Sequence, residues 1–438
     1  MKFFKKIPVR AMKVCDFSIN YKSIHLGGSL MCKTVTLEMI QEARKNLTGI
    51  IKETDLLYAE HLSAKTGVEL YLKLENLQKS GSFKIRGAYH KMLHLTEEER
   101  RNGVVASSAG NHAQGVAISA TLLGIKSTIV MPKNAPFAKI SATKNHGANV
   151  ILAGNLYDEA YAKATEIQKE TGATFVHPFN DAYVIAGQGT IALELLEAQP
   201  DLDAIFVPIG GGGIAAGISL AAKKIKPGIK IIGVQSENAP SMYEALHTNK
   251  IETVPVTRTI ADGIAVARPG DLTFPIIQDY VDEVVTVSEA QVSETFLFLL
   301  ENCNLVCEGA GVVSVAALIA HSKAFKGQKV SAILSGGNID VNMIESVINH
   351  ALVATGRRTQ IKTVISHQPG ELTRLLGCIS DNGGNVLSIY QNRNRKGLSM
   401  YQMGVTVVME TIDTKHKADI LKKLTTYGYE FYEGGIQK

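Results

Sequence analysis

Residues 203–225 read DAIFVPIGGGGIAAGISLAAKKI. An unbroken apolar run meets four consecutive glycines, and a helix-patterned stretch follows at once. The run over 204–208 shows no polar alternation, so both faces of that strand are expected to be covered, as in a parallel sheet flanked by helices. Gly210, Gly211, Gly212 and Gly213 leave backbone N–H groups uncovered by any Cβ. The helix behind them directs its positive end at the loop. Strand, glycine loop and helix in that order form an anion cradle, best suited to phosphate. The spacing is neither the six-position dinucleotide pattern nor a P-loop, because no Lys-Ser/Thr pair follows.

Outward from this stretch the same alternation recurs. TLEMIQEARKNL (36–47) reads as an amphipathic helix and ELYLKLE (69–75) as a strand. GVVASSAGNHAQGVAISATLLG (103–124) reads as strand, loop and helix. STIVMP (127–132) and ANVILAG (148–154) read as short buried strands. KIIGVQSE (230–237) and KVSAILSGGN (329–338) are apolar runs that end in polar or glycine residues. Strands alternating with helices imply a largely parallel, doubly wound α/β fold. Near ALVATGRRTQ (351–360) the pattern breaks. The tail, 361–438, then reads strand, helix, strand, strand, helix, strand, a ferredoxin-like βαββαβ arrangement large enough to be its own domain. The expected organisation is an N-terminal extension over 1–35, a catalytic core over 36–350 with a smaller subdomain at about 86–170, a linker over 351–360, and the tail.

Composition excludes several classes. The 438 residues are 45% hydrophobic and 20% charged, ordinary for a globular chain with a full core. No stretch of about 18 apolar residues exists, so no membrane span is expected. The net charge of +5 lies wholly within the first thirty residues, and the rest is balanced, which gives no footprint for nucleic acid. Those first residues fit either a loosely ordered extension from an upstream start or a basic targeting segment. Cys15, Cys32, Cys303, Cys307 and Cys378 make no disulfide framework and read as thiols in a reducing, cytoplasmic compartment. Cys303 and Cys307 are spaced so that a helix would bring them together, but two thiols alone are not a zinc site.

Three further stretches carry chemistry, each at a strand end or helix start, where α/β sheets bind ligands. In SSAGNHAQG (107–115) small residues let a ligand approach the backbone, Asn111 can donate or accept, and His112 reads more as a packed or capping residue than as a base. In LSGGN (334–338) Ser335 follows an apolar strand and either reaches a ligand or caps a helix. In SGSFKIRGAY (80–89) Lys84 stands in a small-residue, glycine-flanked segment. A lysine becomes a nucleophile when burial or a nearby cation removes its proton. A reactive lysine, a phosphate cradle and small hydrogen-bonding groups suit an aldehyde cofactor bearing a phosphate, and pyridoxal 5'-phosphate meets that description.

ENLQKSGSFKIRGA, ASSAGNHAQGVA, VPIGGGGIAAGI, TIADGIAV and LSGGN stand in this order along residues 36–438. In that combination the chain resembles the fold-type II pyridoxal-phosphate enzymes, whose core is that of the tryptophan synthase β subunit. Its nearest likeness is to the threonine dehydratase (threonine ammonia-lyase) family with a C-terminal ACT domain. The resemblance implies that Lys84 joins the cofactor aldehyde, with Phe83 packed near the ring. Asn111 would bond the ring hydroxyl. Gly210, Gly211, Gly212, Gly213 and Ile214 would hold the phosphate through backbone N–H groups, and Ser335 would face the pyridine nitrogen. Ser107, Ser108, Ala109, Gly110 and His112 would receive the substrate carboxylate. It further implies elimination of L-threonine, and of L-serine, to a 2-oxo acid and ammonia, and a homo-oligomer, dimer or tetramer. An amino-acid effector could act at the ACT-like tail, whose Gly370 would start a tight approach between its first strand and helix.

Two alternatives stay open. Serine racemases share most of these motifs but carry a serine directly before GNH, where this chain has Ala109, whose methyl cannot donate a proton. Racemase-like members also hold a divalent metal on E-x3-A-x-D. Here Glu237 is kept but Ser241 and Tyr243 replace the other two, so no metal site is expected. The other alternative is an inactive amino-acid sensor whose tail does the work. The resemblance fits isoleucine formation and threonine breakdown alike.

Overall fold

The structure, a computed structural model, describes residues 34–393 and 397–434. The extension expected over 1–35 lies outside them except for its last two residues, and of these Val35 is already buried in the core. The described chain divides into two compact units, one ending at Asp340 and one beginning at Val341.

In chain order the strands of the first unit are β1 (Leu56–Tyr58), β2 (Glu69–Lys73), β3 (Val104–Ser107), β4 (Ser127–Met131) and β5 (Asn149–Leu152). They continue with β6 (Thr174–Phe175), β7 (Ala204–Pro208), β8 (Lys230–Ser236), β9 (Glu283–Val287) and β10 (Lys329–Ile333). Six of them form one sheet in the order β1-β2-β10-β7-β8-β9, and four form another in the order β5-β4-β3-β6. Every pairing is parallel except β1 with β2. Every residue of β7 is buried, as a central strand covered by helices on both faces requires. The main core is built by helices Ala182–Ala198 and Gly213–Ile225 against β7 and β8. The smaller sheet runs to Phe175 and has its own core around Val104, Ala106, Ile129 and Val116, so the inserted subdomain reaches slightly past residue 170.

Two local expectations are corrected. β5 is not buried: Asn149 and Leu152 are exposed and Val150 and Ile151 half-buried, because β5 is the edge of its sheet. Cys303 and Cys307 do not share a helix. Helix Glu289–Cys303 stops at Asn304, which takes the left-handed conformation that ends helices, so Cys307 lies beyond it. Among the described residues Cys303 is half-buried, while Cys307 and Cys378 are buried free thiols.

The second unit opens with helix Val341–Ala354, followed by β11 (Arg358–Ser366), helix Glu371–Ser380, β12 (Asn385–Asn392), β13 (Gln402–Glu410), helix Thr414–Thr426 and β14 (Phe431–Gly434). The sheet order β12-β13-β11-β14 is fully antiparallel, the ferredoxin-like arrangement of ACT domains. The stretch expected to be a linker, 351–360, holds the end of a helix and the start of β11 instead. Thr359 and Gln360 are both buried and pair with Met409 and Val408 of β13, which extends the strand upstream. Gly370 makes no close approach. Nothing lies within 4 Å of a Cβ built there, and its φ of +93° is the feature that calls for glycine.

Candidate active site

The carboxyl ends of β3, β7 and β10 each lead into one of the stretches singled out by sequence, and Lys84 opens helix Lys84–Leu93 beside them. Segments 80–83 and 335–338 are joined main chain to main chain. Phe83 N–H donates to the Ser335 carbonyl at 3.2 Å and Gly337 N–H to the Gly81 carbonyl at 2.8 Å. Ser82 and Gly336 form an isolated antiparallel bridge. Lys84 and Ser335 are therefore fixed relative to each other by backbone.

Lys84 is half-buried, and its Nζ donates to the Pro178 carbonyl at 3.0 Å. The Phe83 ring centroid is 5.1 Å from the same nitrogen. Burial pushes the Lys84 ammonium down to about 8, opposed only partly by the charge of Glu308. Near neutrality a usable fraction of this amine is unprotonated.

Behind Lys84 its helix is tied to a buried ionic cluster. Arg86 donates to Glu75 Oε1 at 2.7 Å and to Glu194 Oε1 at 2.6 Å, and Lys73 reaches Glu194 Oε2 at 2.6 Å. Glu75 also accepts from the Thr54 hydroxyl at 2.5 Å. Opposite charges hold the Arg86 guanidinium firmly protonated against its burial.

The glycine loop runs from Ile209 into helix Gly213–Ile225. The Gly211 carbonyl accepts from Thr273 Oγ1 at 2.6 Å and from Gly270 N–H at 3.1 Å. In a trans peptide the following N–H points the opposite way, so the Gly212 amide is turned toward the other side of the loop. Among the described residues the amides of Gly210, Gly211 and Gly212 carry no hydrogen bond. Gly212 has φ +103°, which favours glycine, and a Cβ on Gly211 would meet the Phe179 ring at 2.3 Å. Free amides, a helix start and a loop closed to side chains fit the phosphate of pyridoxal phosphate.

Asn111 heads helix Asn111–Leu123, with Gly110 at its N-cap. Its Nδ2 donates to Glu308 at 2.5 Å and its Oδ1 accepts from Asn338 Nδ2 at 2.7 Å. Glu308 is buried. Burial, then the Asp262 charge, raise its carboxyl to about 7, against the Asn111 hydrogen bond. Ser335 is buried and its hydroxyl donates to the Ala310 carbonyl at 3.3 Å.

The loop 107–112 is less open than its sequence suggests. Ser107 Oγ is buried with no partner among the described residues. Ser108 gives its amide to the Val130 carbonyl at 3.2 Å, and its hydroxyl accepts from Gly110 N–H at 3.2 Å. Ala109 packs its methyl against the small subdomain core. His112 has a packed side chain, in line with its reading as a packed or capping residue. It is buried, its Nε2 meets the Val176 carbonyl at 2.7 Å, and burial followed by the charge of Lys84 pushes it down to about 3. Its Nδ1 has no partner among the described residues, and its backbone amide stands in the first turn of the helix, where amides lack intrahelical partners.

Sequence reasoning missed four participants. Pro178 and Phe179 lie just past β6, Glu308 precedes helix Gly309–His321, and Asn338 closes LSGGN. The rule that ligands gather at strand ends would have reached HPFN (177–180), since β6 ends at Phe175.

Residues 47–336 match the family described as pyridoxal-phosphate dependent enzyme. The chain is 52% identical over 396 residues to the L-threonine ammonia-lyase of Thermotoga maritima, covering 90% of this chain and 98% of that one. The processed threonine deaminase isoform 2 of Solanum lycopersicum superposes with TM-score 0.70 at 35% identity, over 75% of this chain and 99% of the other. Maize serine racemase superposes with TM-score 0.69 at 36% identity, over 73% and 99%.

Proposed function

The chain belongs to the pyridoxal-phosphate dependent enzymes and, within them, to the L-threonine ammonia-lyases; we propose that Lys84 is the base through which it acts. The reaction is the elimination of L-threonine to 2-oxobutanoate and ammonia. By the same bonds L-serine would give pyruvate. When bound, pyridoxal phosphate supplies an aldehyde for the amino group and a ring that draws electrons from the α-carbon.

This chain's residues do the rest. With that group bound, the Lys84 amine would be the base that takes the proton from the substrate α-carbon. The amides of Gly210, Gly211, Gly212, Gly213 and Ile214 would hold the phosphate, and Asn111 would hold the ring oxygen. Ser335 would face the ring nitrogen with a neutral hydroxyl rather than a carboxylate, a partner that does not favour a protonated nitrogen. Ser107, Ser108, Ala109 and Gly110, with the first-turn amides at 111–112, receive the substrate carboxylate.

One observation carries the reading. A lysine amine lowered by burial to about 8 lies against Pro178, next to the phenylalanine that closes the glycine loop. The test is to assay the full chain with L-threonine, L-serine and D-serine. Oxo-acid formation from the L-amino acids is expected. D-serine as the main product of L-serine would favour racemisation, for which Ala109 supplies no second acid. The described residues hold no helix long and apolar enough to cross a membrane. A cytoplasmic homo-oligomer, dimer or tetramer, is part of the proposal, with an amino-acid effector at the ACT-like unit. Velocity that does not respond to branched or small amino acids would remove the effector. A catalytically inert sensor is disfavoured by the intact Lys84, Asn111, glycine loop and Ser335.

A further inference from the structure

LSGGN ends in Asn338, a residue that the reaction as described does not use. Its amide nitrogen donates twice, to the Ser80 carbonyl at 2.8 Å and to Asn111 Oδ1 at 2.7 Å. The Ser80 carbonyl can only accept, so the NH2 group of Asn338, and not its oxygen, must face it. That same NH2 group then fixes which end of Asn111 it meets, namely the oxygen. The NH2 group of Asn111 is left on the other side, where Glu308 Oε1 takes one of its protons at 2.5 Å. One Asn111 proton remains, on a half-buried side chain.

The chain of contacts is walled by glycines. A Cβ on Gly81 would lie 2.1 Å from Asn338 Oδ1, and one on Gly336 would lie 2.4 Å from Glu308 Oε1 and 3.0 Å from Asn111 Nδ2. The two asparagines and Glu308 thus pack directly against backbone at positions where only glycine leaves room for them.

We propose that Asn338 is a positioning residue that locks the Asn111 amide as a hydrogen-bond donor toward the cofactor, with Ser80 as its anchor. The inference rests on the assignment of pyridoxal phosphate to this cleft. It gives the segment before Lys84 and the helix start at Asn111 a common brace, so the lysine and the ring-holding group keep one geometry. A donor locked in place loses no orientational freedom on binding and cannot present its carbonyl to the electron-rich ring oxygen. Without Asn338 the oxygen end of the Asn111 amide has no partner, and Glu308 alone restrains the side chain from the other end.

The test is a double-mutant cycle on the full chain with Asn338→Ala, Asn111→Ala and both together. Each protein is stripped of cofactor, its thermal midpoint recorded, and then titrated with pyridoxal phosphate by absorbance. Asn338→Ala alone is expected to weaken cofactor binding about tenfold, the scale of one hydrogen bond to a bound group. In the Asn111→Ala background the same change is expected to cost less than about twofold, since there is no amide left to orient. An equal loss in both backgrounds, or no loss in either, overturns the inference while leaving the cofactor site intact. A wild type that takes up no pyridoxal phosphate overturns the site and the inference with it. If Asn338→Ala does not melt cooperatively, the small, uncharged Asn338→Ser takes its place in the cycle, with the same expectation. A crystal structure of the wild-type complex is a check independent of any variant. Asn338 Nδ2 bonded to Asn111 Oδ1 is the expected result, and a separation beyond about 4 Å overturns the proposal.

Discussion

Gly211→Ala probes the cradle with a single added carbon. That carbon would stand 2.3 Å from Cε2 and Cζ of Phe179 and 2.4 Å from Cε1. Ordinary contacts begin near 3.4 Å, so the ring or the loop must retreat by about 1 Å. The ring is not free to do so alone, because it stands edge-on to His177 at 4.6 Å between centroids. The loop is held from behind by Thr273 and Gly270 on the Gly211 carbonyl. Overpacking of this kind costs about 1–3 kcal/mol. The amides either side of Gly211 move with it, and the affinity for pyridoxal phosphate should fall about tenfold to a hundredfold. Absorbance titration of the cofactor-free protein measures this, with a thermal melt alongside. Adding Phe179→Ala should restore much of the affinity by making room. A Gly211→Ala protein that binds within about twofold of wild type, with an unchanged melting midpoint, would refute the idea that this loop is a phosphate cradle closed by Phe179.

Arg86→Met keeps the length but takes from buried Glu75 its cation, leaving Glu194 to Lys73 and Arg44, and urea unfolding should show a loss of about 3–5 kcal/mol; a loss below about 1 kcal/mol would contradict the buried cluster. The rate at which cofactor-free protein captures pyridoxal, read by absorbance, should rise with pH through a midpoint near 8, because only the neutral Lys84 amine attacks. A midpoint near 10 would mean that the amine is solvated. His112 and His177 are both lowered by burial, to about 3 and about 4, from an ordinary 6.5. Below pH 6.5 the unfolded chain takes up protons that these folded histidines, with His90 lowered likewise, refuse, and together they outweigh the one opposing carboxyl, Glu308, raised to about 7, so stability should fall as acid is added toward pH 4. A melting midpoint of the cofactor-free protein that is level between pH 7 and pH 5 would contradict this.

The parallel core and the ferredoxin-like tail were legible because their strands announce themselves as apolar runs next to glycine or polar punctuation. AIFVP before GGGG is the clearest case. β5 misled because an edge strand can be as apolar in composition as a central one. NVIL has the same letters whether or not a neighbour covers it. Lys84, Asn111, the glycine loop and Ser335 were readable because each stands at a strand end or a helix start. Glu308 and Asn338 were not, since their role depends on contacts between residues 197 and 227 positions apart in the chain. His112 was half-legible. Its place at a helix start is local information, but the carbonyl of Val176 that occupies it is not.

The measurement that bears most directly on the central claim pairs wild type with Lys84→Ala. Both are incubated with pyridoxal phosphate, desalted, scanned in the visible range, and assayed for 2-oxobutanoate from L-threonine. The account predicts a yellow, active wild type and a variant that retains no covalently held cofactor and forms no product. A Lys84→Ala protein that stays yellow and active, or a wild type that remains colourless, would contradict it.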